Sequence, residues 1–245
     1  RKYVANSVWL SAIFAGVMTV VVCVLCRQIL LWMRTPQDIF DGAYRYIFVI
    51  FVGIPVTYLY NLLSGIIRSL GDSRSPLIFL VFSSLLNIAL DLLLILSFHL
   101  GVAGAAYATV ISQAVSGVLC LIYMRKKFEV LKMTKEEWRM ERGYMLHLCN
   151  MGIPMGLQYS ITAIGSVILQ TAVNTLGSTA VASVTAGSKV GMFFACPFDA
   201  MGATMTTYAG QNVGAGKVDR VGRGMRACCI IGAVYSAAAF VVLYF

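Results

Sequence analysis

Residues 68–91 read R-S-L-G-D-S-R-S-P-L-I-F-L-V-F-S-S-L-L-N-I-A-L-D, from Arg68 to Asp91. The stretch opens as a basic turn, becomes a long apolar segment, and sets Asn87 and Asp91 well inside it. A carboxylate at such depth is costly in a bilayer and marks a functional site by default. Asn87 and Asp91 are four residues apart, so on a helix they share one face.

Working outward, the apolar segment is one of several. No Asp, Glu, Lys or Arg occurs in residues 3–26, 46–67, 75–90, 92–124 or 143–188. The 245 residues are 59% hydrophobic and 12% charged, about half the charged fraction of a soluble domain. A helical span needs roughly 20 apolar residues, and no alternating pattern suggests a barrel. The fold class is all-α polytopic membrane protein. We place seven spans, at about 5–26, 46–67, 76–97, 102–124, 149–174, 180–208 and 227–245. The first residue is not Met and the last apolar run is cut at Phe245, so the sequence reads as a portion of something larger.

The net charge of +9 could suggest a nucleic-acid partner, but its distribution argues for membrane topology. Fifteen of the 19 Lys and Arg residues fall in alternate loops: around Arg1 and Lys2, Arg68 and Arg74, residues 125–142, and residues 217–226. Arg27, Arg34 and Arg45 lie on the other side, and Lys189 within a span. The basic side is expected to be cytoplasmic, with the protein multi-pass in the plasma membrane. Residues 128–147 read as a solvated linker between two helical groups, 1–127 and 148–245. In it Thr134 and Glu137 are spaced as a capping box opening a short helix, and Trp138 and Met140 can rest on the interface.

The cysteines, Cys23 and Cys26 included, read as small apolar packing residues, since no second pair or nearby His completes a metal site. H-E-x-x-H, G-x-S-x-G and P-loop motifs are absent, so nothing points to an enzyme or a cofactor.

The polar residues inside spans are the candidates. The third and fourth spans form a hairpin turning near Leu100, with Asp91 nine residues before that point and Thr109 nine after. Regular antiparallel helices would put both at one depth, about 13 Å from the turn. Asn61 approaches a neighbouring depth from the Gly71 side, and Tyr46 enters from the other. Together they suit an all-oxygen site for Na⁺ or a proton relay; the alternative is hydrogen bonding between helices without transport. In the fifth span Gln158, Thr162, Ser166, Gln170 and Asn174 recur every fourth residue. Such a row should face protein or a cavity, as a substrate path or as interhelical bonding. Lys189 and Asp199 share a broad side of the sixth span; Lys189 reads as structural and Asp199 stays open.

Arg68-Ser-Leu-Gly-Asp72 with Pro76, Asn87-Ile-Ala-Leu-Asp91, Gly101-Val-Ala-Gly-Ala-Ala106 with Ala108-Thr109, Asn174-Thr-Leu-Gly177 and Gly210-Gln-Asn-Val-Gly-Ala-Gly-Lys217 occur in this order and spacing. The combination resembles the multidrug and toxic compound extrusion (MATE) transporters. The resemblance implies twelve spans in two six-helix lobes, of which the third to ninth are present, with the lobe boundary at the linker. It implies antiport, with an inward Na⁺ or H⁺ gradient driving export of amphipathic, often cationic drugs. In some members a cation site in the N-terminal lobe uses an Asp of the first span together with residues matching Tyr46, Asn61, Asn87, Asp91 and Thr109. Others carry a carboxylate in the seventh span. The matching helix here, 149–174, has none, which favours the N-lobe site. Rival expectations are a flippase for lipid-linked precursors and a membrane protein that does not transport.

Overall fold

The computed structural model describes residues 1–32, 37–131 and 134–244. Arg34 and Lys132, used above to assign sides, lie outside the described residues. The described chain is helical, without a strand: α1 (Lys2–Trp32), α2 (Gln37–Val52), α3 (Ile54–Ser69), α4 (Arg74–Leu92), α5 (Gly101–Lys127), α6 (Arg142–Asn174), α7 (Ser178–Gly214) and α8 (Val218–Tyr244). Six helical segments are long and apolar enough to cross a membrane. Residues 39–52 of α2 and 54–69 of α3 meet the same criterion only when taken together, and they are bent by 42° at the break.

That bend corrects the expectation of one continuous span over 46–67. Pro55 has no amide hydrogen to give Phe51's carbonyl, and the amides of Val56 and Thr57 both turn to the carbonyl of Gly53, at 3.0 and 3.2 Å. Gly53 is also where α5 comes closest: a Cβ there would lie 2.4 Å from Val110 Cγ2. The missing side chain lets the helices touch at the break.

The chain divides into two units, Arg1–Cys149 and Asn150–Phe245. In the first, α5 packs against α2, α3 and α4, and α1 against α2 and α3. Its core is an apolar cluster of Tyr60, Leu63, Ile67 and Cys120, flanked by Phe79, Leu121, Tyr123, Met124 and Phe128. Residues 134–141 belong to this unit and are tied to the start of α1. Asn6, fully buried, accepts the Glu141 amide at 2.9 Å and donates to the Lys2 carbonyl. The Trp9 indole donates to the Trp138 carbonyl at 2.9 Å. Arg1 pairs with Glu137 and Lys2 with Glu141, and Tyr3 meets Tyr144 edge to face. Residues 134–136 and 138–140 are exposed, and these ties to α1 add to the solvated connection expected. The Thr134 amide does bond to the Glu137 carboxylate, at 2.9 Å, but only hydrogen-bonded turns follow at 135–138. The Glu141 amide that a longer helix would use is taken by Asn6.

In the second unit α7 and α8 form a hairpin. The Tyr208 hydroxyl donates to the Arg220 carbonyl at 3.2 Å and Tyr235 to the Phe194 carbonyl at 3.1 Å; Phe198 and Tyr235 stack edge to face. The motif glycines Gly71 and Gly177 both adopt φ near +93° and Gly216 +70°, so each marks a tight turn that L side chains resist.

Candidate ion site

Two hydroxyl contacts fix the register of the α4–α5 hairpin. Ser83 donates to the Ser112 carbonyl at 2.7 Å, and Ser116 to the Phe79 carbonyl at 3.3 Å. Nearer the turn, a Cβ on Gly104 would lie 3.2 Å from the Leu94 backbone. Thr109 is therefore level with Asn87, while Asp91 stands one turn, about 6 Å, closer to Leu100. The expected common depth of Asp91 and Thr109 assumed regular helix up to the turn. Instead α4 gives way to a π-helix, Leu93–Ser97, immediately after Leu92. The amides of Phe98 and Leu100 bond back to Leu93 and Leu94, and His99 (φ 53°) and Gly101 (φ 57°) turn the chain. The wider turn changes the count of residues on the α4 arm. Such π segments recur beside functional sites.

Within this hairpin, three side-chain atoms are buried without a hydrogen-bond partner among the described residues: Asn87 Nδ2, Asp91 Oδ1 and Gln113 Oε1. Leaving a buried polar group unpaired costs about 1–3 kcal/mol, more for a charged one. Thr109 sits between them, half-buried, its hydroxyl donated to the Ala105 carbonyl at 2.9 Å. That leaves its lone pairs for a further partner. Side chains lean toward the N-terminus of their own helix. In this antiparallel pair, Asn87 and Asp91 therefore lean toward the Gly71 end and Gln113 toward the Leu100 end, which brings Asp91 and Gln113 closer in depth to Thr109.

The other expected members are placed differently. Gly53 against Val110, and the Tyr60 backbone 3.7 Å from a Cβ on Gly117, show that α2–α3 and α5 run parallel with an offset of 57 residues. Carried back along α2, that offset sets Tyr46 at about the level of residue 103 of α5, on the Leu100 side of the break. Asn61 is level with residue 118, more than two turns below Thr109. It is exposed and donates to the Thr57 carbonyl of its own helix at 2.9 Å. Gln113 was not singled out in the sequence. Its signal was its position, four residues after Thr109 on the same face.

No three His, Cys, Asp or Glu side chains come together among the described residues, and the described cysteines are free thiols. One carboxylate among amide and hydroxyl oxygens is a hard-ligand set. It suits an alkali cation, or a proton on Asp91, and not a softer transition metal.

At the Gly71 end, Asp72 is clamped. Its carboxylate accepts the Ser75 amide at 3.1 Å and the Ser75 hydroxyl at 2.8 Å, capping α4. It also accepts the Tyr123 hydroxyl at 2.5 Å and pairs with Lys127 at 2.9 Å; Lys127 touches the Tyr123 hydroxyl as well. The Tyr123 bond foremost, then Lys127 and Ser75, hold its carboxyl well below the ordinary carboxylate range, against the opposing effect of desolvation.

In the second unit, the α6 row is exposed, with the Thr162 and Ser166 hydroxyls bonded back to the Gln158 and Thr162 carbonyls. Gln158 and Gln170 lie on the same exposed helix; the side chain of Asn174 lies outside what is described. Asp199 and Lys189 are both exposed.

These features define a multi-pass α-helical membrane protein whose chain divides into two compact units. The MatE sequence profile matches residues 1–93 and 154–245, and the chain belongs to that family. It is 35% identical over 201 residues to the probable multidrug resistance protein YpnP of Bacillus subtilis (strain 168), covering 80% of this chain and 44% of that protein. It is 26% identical over 251 residues to the probable multidrug resistance protein YoeA of the same organism, covering 100% of this chain and 54% of that one. The fold superposes on a crystal structure of MATE in the bent conformation with a TM-score of 0.91 at 24% identity, over 98% of this chain and 55% of the other. The chain spans about half the length of the curated relatives it matches.

Proposed function

We propose that this chain is the central part of a secondary transporter that exports amphipathic, often cationic drugs in exchange for Na⁺ or H⁺. Asp91 binds the coupling ion, with Asn87 and Thr109 beside it and Tyr46 at the Leu100-side rim. Asn61, exposed and deeper, is the weakest member of the set. One observation carries the reading: Asp91 Oδ1 is buried inside a span with no hydrogen-bond partner among the described residues. A carboxylate so placed is stable when it is protonated or holds a cation, and costly when bare. An ion that removes this cost changes the free energy of the lobe between its loaded and empty states. That difference is what couples an ion gradient to a conformational change. The relatives' names, multidrug resistance proteins, support drug export in general, and Gln158, Thr162, Ser166, Gln170, Asn174 and Asp199 are offered as the substrate-path side chains of the second unit. In this reading the loops around Arg68, 125–142 and 217–226 face the cytoplasm. A flippase for lipid-linked precursors would call for a cationic lumen, and the spans supply only Lys189.

The test is efflux of a cationic dye from cells carrying the full-length parent protein, wild type against Asp91→Asn at matched membrane abundance. Loss of efflux and of its dependence on Na⁺ or pH is expected. Unchanged efflux and unchanged ion dependence would sink the assignment of Asp91.

A further inference from the structure

Gln113 is not explained by packing alone. Its carbonyl oxygen is buried without a partner, on the helix face that carries Thr109 four residues earlier. Asn87 is level with Thr109 on α4, so Gln113 stands one turn, about 6 Å, further from Leu100 than either. The break between α2 and α3 lies beside it, since Gly53 touches Val110 and the α3–α5 offset brings Pro55 and Val56 to the level of Gln113. At that break Pro55 takes the carbonyl of Phe51 out of the helical ladder. Irregular backbone at membrane depth is tolerated where it is buried in protein or lines a polar cavity.

One turn further toward Lys127 the character changes. The Ser116 hydroxyl is occupied by the Phe79 carbonyl. Cys120, Leu63 and Ile67 are buried in the apolar cluster, and the Tyr60 hydroxyl is turned to the Pro76 carbonyl at 3.4 Å. Beyond them the Asp72 clamp closes the end. Buried polar atoms needing a partner thus stop at Gln113 among the described residues of this hairpin.

We propose that Gln113 is the innermost ligand of the ion pocket, its side-chain carbonyl contributing an oxygen beneath Asp91, Asn87 and Thr109. The apolar cluster closes the Lys127 side in this conformation, so an ion reaches the pocket here from the Leu100 side, and release to the other side needs a second conformation. This rests on the reading of Asp91 as the ion-binding carboxylate. The amide oxygen is neutral, so it adds affinity and selects for a desolvated cation without adding a second negative charge. Exchanging it for a carboxylate would strengthen the hold on Na⁺, and exchanging it for an alkyl group would weaken it.

The experiment uses the full-length parent reconstituted in proteoliposomes, with ethidium transport followed against graded Na⁺ and graded pH. The variants are Gln113→Leu, Gln113→Asn and Gln113→Glu, with Asp91→Asn as reference. For Gln113→Leu the cation concentration giving half-maximal transport is expected to rise roughly tenfold, the loss of one contact to a charged group. The dye concentration for half-maximal transport stays unchanged. Gln113→Asn, with its oxygen withdrawn by one methylene, is expected to fall between, and it decides the matter if the leucine variant fails to insert. Gln113→Glu should move the midpoint the other way. If the Gln113 variants leave the ion midpoint in place while Asp91→Asn abolishes coupling, Gln113 is not a ligand and the Asp91 reading stands. If Asp91→Asn also leaves coupling intact, both fall.

Discussion

Replacing Asp72 by Ala tests whether the Gly71 end of the first unit is a held structure or a loose surface turn. Four contacts are lost. The Lys127 pair is weak, because that lysine is 54% exposed and pairs of this kind contribute under about 1 kcal/mol. The Tyr123 bond is the large one. It is short, charge-assisted, and made by a carboxylate whose side chain is only 15% exposed, so it contributes about 1.5–3 kcal/mol. The cap on Ser75 adds about 1 kcal/mol. Together about 3–4 kcal/mol is expected, seen as a drop of several degrees in the thermal midpoint of the detergent-solubilised full-length protein. Tyr123→Phe alone should recover most of the loss, and the double variant should be little worse than Asp72→Ala. The pH dependence has a definite sign. Because the folded carboxyl titrates below its unfolded value, its stabilisation is complete above the ordinary carboxylate range near ~3.9 and fades as pH falls through the lower folded value. The gap between wild type and Asp72→Ala should therefore be constant from pH 7 to 5 and shrink below about 4. A loss under about 1 kcal/mol, equal to the exposed Lys127 pair alone, would refute the assignment of the Tyr123 bond as the main tie.

Two further substitutions probe how the ion-site helices and the linker are held. Gly53→Ala places a methyl 2.4 Å from Val110 Cγ2; about 1–3 kcal/mol of destabilisation is expected from overpacking. Val110→Ala in the same protein should restore the thermal midpoint, and failure to do so would mean that the glycine is there for the bend and not for the contact. Asn6→Ala removes the only side-chain acceptor seen for the Glu141 amide among the described residues, at about 1–3 kcal/mol. Protease cleavage within 128–141 should accelerate, and an unchanged rate would show that the ion pairs of Arg1 and Lys2 suffice.

The spans were readable because the signal is coarse. Long charge-free runs suit only a helix in lipid, and the glycines that end them (Gly71, Gly177, Gly216) sit in the motifs that carry the family resemblance. What hydropathy measures is length, not direction, and so the 42° break was missed although Gly53-Ile-Pro55 was in view. Proline at the second position of a new helix and proline inside an old one look alike in sequence. They are separated only by whether a neighbour, here Val110, fills the space of the absent Cβ. The linker's tie to α1 was not legible for a different reason: its partner, Asn6, is 135 residues away, and one asparagine in an apolar run does not announce what it will cap.

The residues of the proposed ion site were half legible, and the missing half follows from how depth was inferred. Asp91 and Asn87 stood out because polar groups in an apolar run are costly whatever the tertiary structure. Their partners had to be placed by counting from the turn, which is sound only if both arms are regular helix. The π-helix at Leu93–Ser97 breaks that condition directly after the carboxylate, moving Thr109 level with Asn87 and leaving Asp91 a turn above. The symmetric count would put Gln113 level with Asn87; the observed register sets it one turn further from Leu100, the next step of the polar row after Thr109. A π turn is tolerated in a membrane helix when something nearby compensates for the poorer packing. At this position it accompanies a register that leaves Asp91, the one carboxylate of α4, one turn nearer Leu100 than Thr109. Irregularity next to Asp91 and unpaired polar atoms beneath it are thus two consequences of one local choice, which gives the hairpin an internal polar row where two regular apolar helices would have packed dry.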